Sequence, residues 1–381
     1  MFSALLHSFG LDISDLSAKL IAVKSNFRGE RVIQTWAKCD IPEGVIVDGD
    51  IRQQEKAVAL LTAMLAEPVR RVGTPYVTAS LPESKTFMKV IEVDAAGDVG
   101  ARVREELPNH IPLAIEELVI DWEITRTFDE RAMVTVGAVP KAVAERYTEL
   151  LTACGLKPVA FEIEAQAIAR AVAPVATNPS SLRAGMENLY AHISRAGRNE
   201  PAPPPVSAPP AHTPARLLVD MGATRTSLVM VDWETIQFTS SVPLSGVDAT
   251  RRIAERLKLT FDEAERAKKI CGLDPKKCKG AVSTVLQGAL NNLAVEIERA
   301  IEFYQTHFKR GRPVAEVVLT GGGANLAHAE TQLAEQLSVP VRIGNPLVNL
   351  SQPFAADAFP TKEALSFTTA CGLALRDVLP S

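Results

Sequence analysis

The sequence predicts an α/β protein built as two related lobes with a ligand cleft between them. Three observations carry that expectation. Residues 9–24 read as a strand, a tight acidic turn and a second strand, and residues 217–232 repeat the pattern in the second half of the chain. Behind each pair, apolar runs of strand length alternate with segments of helical spacing, the order of packed α/β layers. Between the halves stands PAPPPVSAPPAHTP, residues 201–214, in which half the residues are proline. Such a run builds neither a ladder nor a helix and reads as an extended, semi-rigid linker.

At 381 residues, 46% hydrophobic and 23% charged, the chain is long enough for two packed lobes. A net charge of −4 argues against a nucleic-acid-binding surface, and no nucleic-acid partner is expected. No apolar stretch approaches the roughly 20 residues of a membrane helix. The start, MFSALLHSFG, lacks a basic region and a small-residue cleavage site, so it reads as the lead into the first strand rather than a signal peptide. The five cysteines, Cys39, Cys154, Cys271, Cys278 and Cys371, are scattered and include no Cys-x-x-Cys. Zinc is therefore not expected, and reduced thiols in the cytoplasm fit. Cys271 and Cys278 flank a Gly-Leu-Asp-Pro turn and read as packed or idle thiols, not a redox pair.

Along the first half, residues 10–24 alternate as a strand pair and 32–42 as a third strand. Residues 56–65 have helical spacing and stop before Pro68. Two strands flank Pro82-Glu83-Ser84. A helix broken by Pro108 and Pro112 precedes a strand carrying Asp121 and Trp122, and a buried strand follows at 132–140. Residues 141–155 form a helix stopped at Gly155, and 158–172 run from strand into helix. Met186, Leu189, Tyr190 and Ile193 share a stripe of a short helix before the linker. The second half opens with three strands joined by tight turns at 216–244. Helices are expected at 249–257 and 260–270, and a long amphipathic helix at 287–308. A buried strand at 314–320 opens into Gly321-Gly322-Gly323 with a helix after it, and 366–378 read as the closing helix.

The chemistry concentrates in three turns. Gly10, Asp12, Ser14 and Lys19 surround the first tip, and Asp220, Gly222, Ala223, Thr224 and Thr226 the second. Small residues at a strand-to-strand turn let backbone N–H groups approach an anion, with hydroxyls and a lysine as further donors. Asp12 and Asp220 beside a phosphate repel it unless a cation intervenes, so both are read as holding a hydrated Mg²⁺ through water. Gly321, Gly322 and Gly323, with Asn325 beyond, let a ring or phosphate lie against the backbone. The chain contains neither Gly-x-Gly-x-x-Gly nor a Gly-Lys-Ser/Thr loop, which excludes a Rossmann fingerprint and a P-loop. Glu265 and Lys268 share one helix face. They read either as a solvated ion pair or as a clamp on a ribose and base edge.

These turns together look like the actin/Hsp70/sugar-kinase superfamily. Within it, FGLDISDLSAKL, SLPES, IPLAIEELVIDWEI, GLKPVAFEIEAQAIARA, LLVDMGATRTSLVMV, AERAKK and LTGGGANL resemble the PilM family of type IV pilus assembly proteins. The resemblance spans nearly the whole chain apart from residues 177–214. It implies an actin-like (ribonuclease H-like) two-lobed fold in which an FtsA-type 1C subdomain, about residues 76–139, replaces 1B. It divides the chain into a first lobe at 1–176, an insert at 177–214, a second lobe at 215–355 with 2B at about 247–308, and a C-terminal return at 356–381. It implies ATP and Mg²⁺ in the cleft. Asp12, Ser14 and Lys19 match the first phosphate turn, and Asp220, Gly222, Thr224 and Thr226 the second. Glu265 and Lys268 match the adenosine-side helix, and Gly321 to Gly323 the adenosine turn.

The partners implied are the N-terminal cytoplasmic peptide of PilN, held in a groove involving 1C, pilus assembly ATPases, the inner membrane through PilN and PilO, and a second copy of the chain. The function implied is a cytoplasmic ATP-binding scaffold with slow or no hydrolysis. An active ATPase and an FtsA-like membrane-associated filament protein stay open beside it. Glu164, in the connecting segment, is the candidate for positioning a water; alternatively it is a helix N-terminal carboxylate favoured by the dipole.

Overall fold

The computed structural model describes residues 8–25, 30–66, 72–111, 113–174, 214–351 and 359–376. The helix expected before the linker, and the linker itself except Pro214, lie outside the described residues.

The first lobe contains β1 (Phe9–Ile13), β2 (Ser17–Ser25), β3 (Arg31–Asp40), the short pair β4 (Ile46–Val47) and β5 (Asp50–Ile51), α1 (Gln54–Ala66) and β6 (Tyr76–Leu81). An inserted unit follows: β7 (Phe87–Asp94), α2 (Val99–Glu106), β8 (Leu118–Phe128) and β9 (Arg131–Pro140). The chain then returns through α3 (Lys141–Ala153), β10 (Lys157–Ile163) and α4 (Glu164–Val172). The second lobe contains β11 (Ala215–Met221), β12 (Thr226–Asp232), β13 (Thr235–Val242), α5 (Gly246–Leu257), α6 (Phe261–Cys271), α7 (Ala281–His307), β14 (Val314–Thr320), α8 (Ala329–Ala334) and β15 (Val341–Ile343). The closing helix α9 (Thr368–Ala374) packs back on the first lobe.

The two halves repeat in topology. The first sheet runs β10-β6-β1-β2-β3, and the second begins β15-β14-β11-β12-β13. In each, two parallel strands lie on one side of the leading strand and two antiparallel strands on the other. Parallel strands covered on both faces read as continuous apolar runs. Accordingly, all five residues of β1 are buried, and so are Leu217, Leu218 and Val219 of β11.

The second sheet continues past the repeat into β7-β9-β8. The inserted unit therefore interrupts the first lobe in sequence but joins the second lobe in space, through Phe238 of β13 paired with Lys89 of β7. The sequence carries no signal for this, because the pairing is between strands about 150 residues apart and rests on one register position.

A core of residues from both lobes surrounds α4 and α9. The two helices approach so closely that a Cβ on Gly372 would lie 1.8 Å from the carbonyl oxygen of Ala167. Arg170 of α4 clamps Glu162 with two bonds of 2.7 and 2.8 Å and donates to the Gly372 carbonyl at 3.0 Å. The guanidinium fork matches a carboxylate in this way, which lets a buried charge persist where an unpaired one could not.

Several sequence expectations change. The long helix begins at Ala281, six residues before the expected 287, after Gly280 with φ of 74°. Gly321–Gly323 do not open directly into a long helix: a 3₁₀ turn, Gly322–Asn325, precedes the six-residue α8. The closing helix is likewise 3₁₀ from Thr361 to Phe367 before it becomes α-helical. Cys271 and Cys278 are paired as a disulfide with Cα atoms 6.0 Å apart, not idle thiols. The intervening turn folds the chain back, a proximity that spacing alone does not reveal.

Substituting Gly372→Ala places a methyl group inside the α4–α9 contact. The expected loss is about 1–3 kcal/mol or more, as for overpacked cores, measured as a lowered urea midpoint. An unchanged midpoint contradicts the close approach.

Candidate functional site

β1 and β11 each carry an aspartate one residue before their end, beside a tight turn, and each aspartate is held by a hydroxyl from the neighbouring parallel strand. Ser80, on β6, donates to Asp12 Oδ1 at 3.2 Å. Thr320, on β14, donates to Asp220 Oδ1 at 2.8 Å. The sequence reading does not single out Ser80 or Thr320; the signal is a hydroxyl residue at or near the end of an otherwise apolar strand. Lys19, opposite Asp12 across β1 and β2, lies 3.6 Å from Asp12 Oδ2 and donates to Ser17 Oγ at 2.8 Å.

Both tips line one cavity of about 840 Å³ between the lobes. Asp12, Ser14, Lys19, Asp220, Gly222, Ala223, Thr224 and Thr226 face it, as do Glu265, Lys268, Gly321, Gly322, Gly323, Asn325 and Glu164. Gly10 does not. A Cβ there would meet Ala370 O and Ala374 N at 2.4 Å, so Gly10 lets α9 lie on β1 and its place is in packing.

Some polar groups assigned to a ligand by the sequence are engaged within the fold. The Ser14 hydroxyl donates to Ser17 O at 3.0 Å, and Thr226 Oγ1 donates to Leu244 O at 2.7 Å. The Gly222 N–H donates to Arg225 O at 2.9 Å, closing the second turn on itself. Lys268 Nζ donates to Gly246 O and Thr250 Oγ1, both at 2.7 Å, and pairs with Glu265 Oε2 at 2.7 Å. Glu265 and Lys268 are thus not a merely solvated pair: they tie α6 to the start of α5 while still lining the cavity. In the third turn, Gly321 has φ of 78°, and a Cβ there would press within 2.8 Å of Asp220 Oδ1 and Met221 N. Gly321 is required by the contact with the second tip. Gly322 meets only Ser366, at 3.7 Å, and leaves room for a ligand.

A fourth carboxylate completes the wall. Glu83 follows β6 and accepts a hydrogen bond from Ser227 of the opposite lobe. The sequence marks it only as part of a Pro-Glu-Ser turn. Burial, then the charge of Asp220, pushes Glu83 up to about 7. Burial, with Asp12 as a like charge, pushes Asp220 up to about 6. Glu164, at the first position of α4, is raised well above the carboxylate range by burial and then by Asp12, Glu83 and Asp220. Glu164 thus opens a helix and also faces the cavity.

Of the acidic groups that line the cavity, Asp12, Glu83, Glu164 and Asp220 are coupled through their charges, with Lys19 and Arg225 as the cations acting on them. A divalent cation suits this excess of negative charge. Among the described residues no group of three or more His, Cys, Asp or Glu forms a direct metal shell. A cation here would have to be held largely through water and through oxygens of an anionic ligand, as hydrated Mg²⁺ commonly is.

A family model described as type IV pilus assembly protein PilM matches residues 10–189 and 210–378. Among solved structures, the chain is similar to the PilM-PilN type IV pilus biogenesis complex, at 23% identity and a TM-score of 0.74, over 99% of this chain and 100% of that one. It is also similar to the ethanolamine utilization protein EutJ from Carboxydothermus hydrogenoformans, at 17% identity and a TM-score of 0.54, over 97% and 89%. These likenesses fit the actin-like two-lobed α/β fold described above.

Glu83 and Asp220 hold protons more tightly in the folded chain than in the unfolded one, where carboxylates titrate near 4. Between about pH 4 and 7 the folded state binds more protons. Their contribution is therefore present at the acid end and is lost as pH rises through about 6 to 7. Without divalent cation, the urea midpoint is expected to fall across this window, and Asp220→Asn to flatten the fall. A wild-type midpoint that stays level or rises with pH contradicts the buried acidic cluster.

Proposed function

The chain belongs to the PilM family of type IV pilus assembly proteins, and from that premise we propose that it is an ATP-binding scaffold of the inner-membrane assembly complex. It binds the cytoplasmic N-terminal tail of PilN, in a groove involving the inserted unit, with an affinity that depends on cleft occupancy. The carrying observation is that acidic tips from both lobes line one cavity while Glu83, from the entry to the inserted unit, forms part of the same wall.

ATP with Mg²⁺ would supply a triphosphate and a hydrated cation to a cleft rich in carboxylates. Asp12 and Asp220 hold and orient the cation's waters. The backbone around Ser14–Ser17 and Ala223–Thr224 approaches phosphate oxygens, with Lys19 as a nearby positive charge. Gly322 leaves room for the nucleoside end of the ligand. Glu164, whose protonated form is favoured by burial and then by its acidic neighbours, is a weaker base until a cation compensates them, which favours slow or absent turnover.

The coupling to a partner rests on connectivity. Glu83 joins β6 to β7 and bonds to Ser227, while β7 pairs with β13. A change in lobe angle therefore moves the inserted unit against the first lobe, and a groove between them opens or narrows. Any ligand that prefers one lobe angle biases that equilibrium. Attachment to the membrane is through the partners: among the described residues no helix is long and apolar enough to cross a bilayer.

Asp220→Ala is expected to weaken Mg²⁺-ATP binding more than binding of ATP in EDTA, by roughly tenfold against little change. Calorimetry in both conditions measures it, and equal losses contradict the cation role. Glu83→Gln is expected to retain ATP binding within a few-fold while the affinity for a synthetic PilN tail no longer responds to Mg²⁺-ATP. A preserved response removes Glu83 from the route. In single-turnover assays any hydrolysis is expected to vanish in Glu164→Gln; persistence at the wild-type rate assigns that step elsewhere.

A further inference from the structure

Where the inserted unit meets the second lobe, five side chains form one column. Arg312 and Arg126 lie over Trp233, with guanidinium carbons 3.8 and 3.4 Å from its ring centre. Arg126 also lies over Phe128 at 4.8 Å, and Arg310 over Phe128 at 4.6 Å. Two guanidinium groups cannot share one indole face at such distances without overlapping. Trp233 is therefore sandwiched, and the carbons of Arg126 and Arg312 stand about 7 Å apart across it.

The fold places these groups deliberately. A bulge shifts the β8–β9 register between Ile124 and Arg126, which turns Arg126 to the face opposite Ile124. Trp233 occupies the β12–β13 turn with φ of 56°, a left-handed conformation costly for a bulky side chain.

The column has three positive charges and one carboxylate against it. That carboxylate, Asp232, is already saturated. It accepts from Arg312 Nε at 2.6 Å, Tyr304 Oη at 2.5 Å, Trp233 N at 2.8 Å and Arg312 N at 3.1 Å. The Arg126 side chain makes no hydrogen bond or ion pair among the described residues, and its Nη1 and Arg312 Nη2 are buried without an acceptor. Burial and Arg312 together hold the Arg126 guanidinium below its ordinary range. Aromatic faces stabilise these cations but supply no hydrogen-bond acceptor.

We propose that this column binds an acidic peptide segment in extended conformation, with carboxylates at alternate positions pairing with Arg126 and Arg312 and a further one reaching Arg310. The spacing is the argument. Side chains on one edge of a strand repeat about every 6.6–6.8 Å, matching the separation across Trp233. Recessed guanidinium groups on either side of a ring suit a chain that runs along the column better than a flat bilayer surface. The chain's net charge of −4 opposes adsorption to an anionic membrane.

The test uses the full chain and two peptides, each with three glutamates among threonines. One has them at alternate positions and the other at every third. Binding is read by tryptophan fluorescence and calorimetry at low salt. The alternate peptide is expected to bind at least fivefold more tightly, and Arg126→Gln to weaken it about tenfold while thermal melting and ATP binding are unchanged. Should Arg126→Gln not fold, Arg310→Gln, at an exposed position, is expected to weaken binding at least threefold. Equal affinity for the two peptides, binding unaffected by the variant that folds, or binding only to anionic phospholipid vesicles overturns the proposal.

Discussion

Asp12, Glu83, Glu164 and Asp220 repel one another across a shared cavity, and the arrangement of both lobes bears on how that repulsion is relieved. Protonation relieves it, a cation relieves it, and separation of the lobes relieves it. The three are alternatives, so proton binding, cation binding and lobe angle are linked within one site. Ser80 and Thr320 aim Asp12 and Asp220 from equivalent strands. The internal repeat thereby gives each lobe one member of a pair, and neither lobe alone forms the cluster.

The inserted unit turns that linkage outward. Its chain leaves the first lobe beside Glu83, yet its sheet extends the sheet of the second. An element tied covalently to one body and by hydrogen bonds to another responds to their relative angle. The α4–α9 contact, drawn tight by Gly372 and held by the Arg170–Glu162 clamp, packs the core that both lobes share.

Much of this was legible in the sequence. The paired strands, their acidic tips and the glycine turn follow from local patterning, because each is encoded within about 15 residues. Groups whose role depends on distant partners were not legible. Glu83 looks like turn chemistry until Ser227 is placed beside it, 144 residues away. Gly10 looks like a ligand glycine until α9 fills the space over β1. Lys268 looks available until Gly246 and Thr250 take its donors. Residue type reveals which chemistry is possible, and only packing reveals which atoms are already spent.

The same criterion separates Asp232 from the cavity carboxylates. Asp232 is 1% exposed, more completely buried than the cavity carboxylates, but four donors surround it, and it serves as structure. Asp220 has one hydroxyl donor and a like charge nearby. A buried carboxylate with too few donors is costly unless something else arrives to meet it. Arg126 presents the converse case, a cation whose Nη1 finds no acceptor among the described residues. Both imbalances stand at junctions between units, where a ligand or partner has access and where completing the missing interactions also fixes how the units are joined.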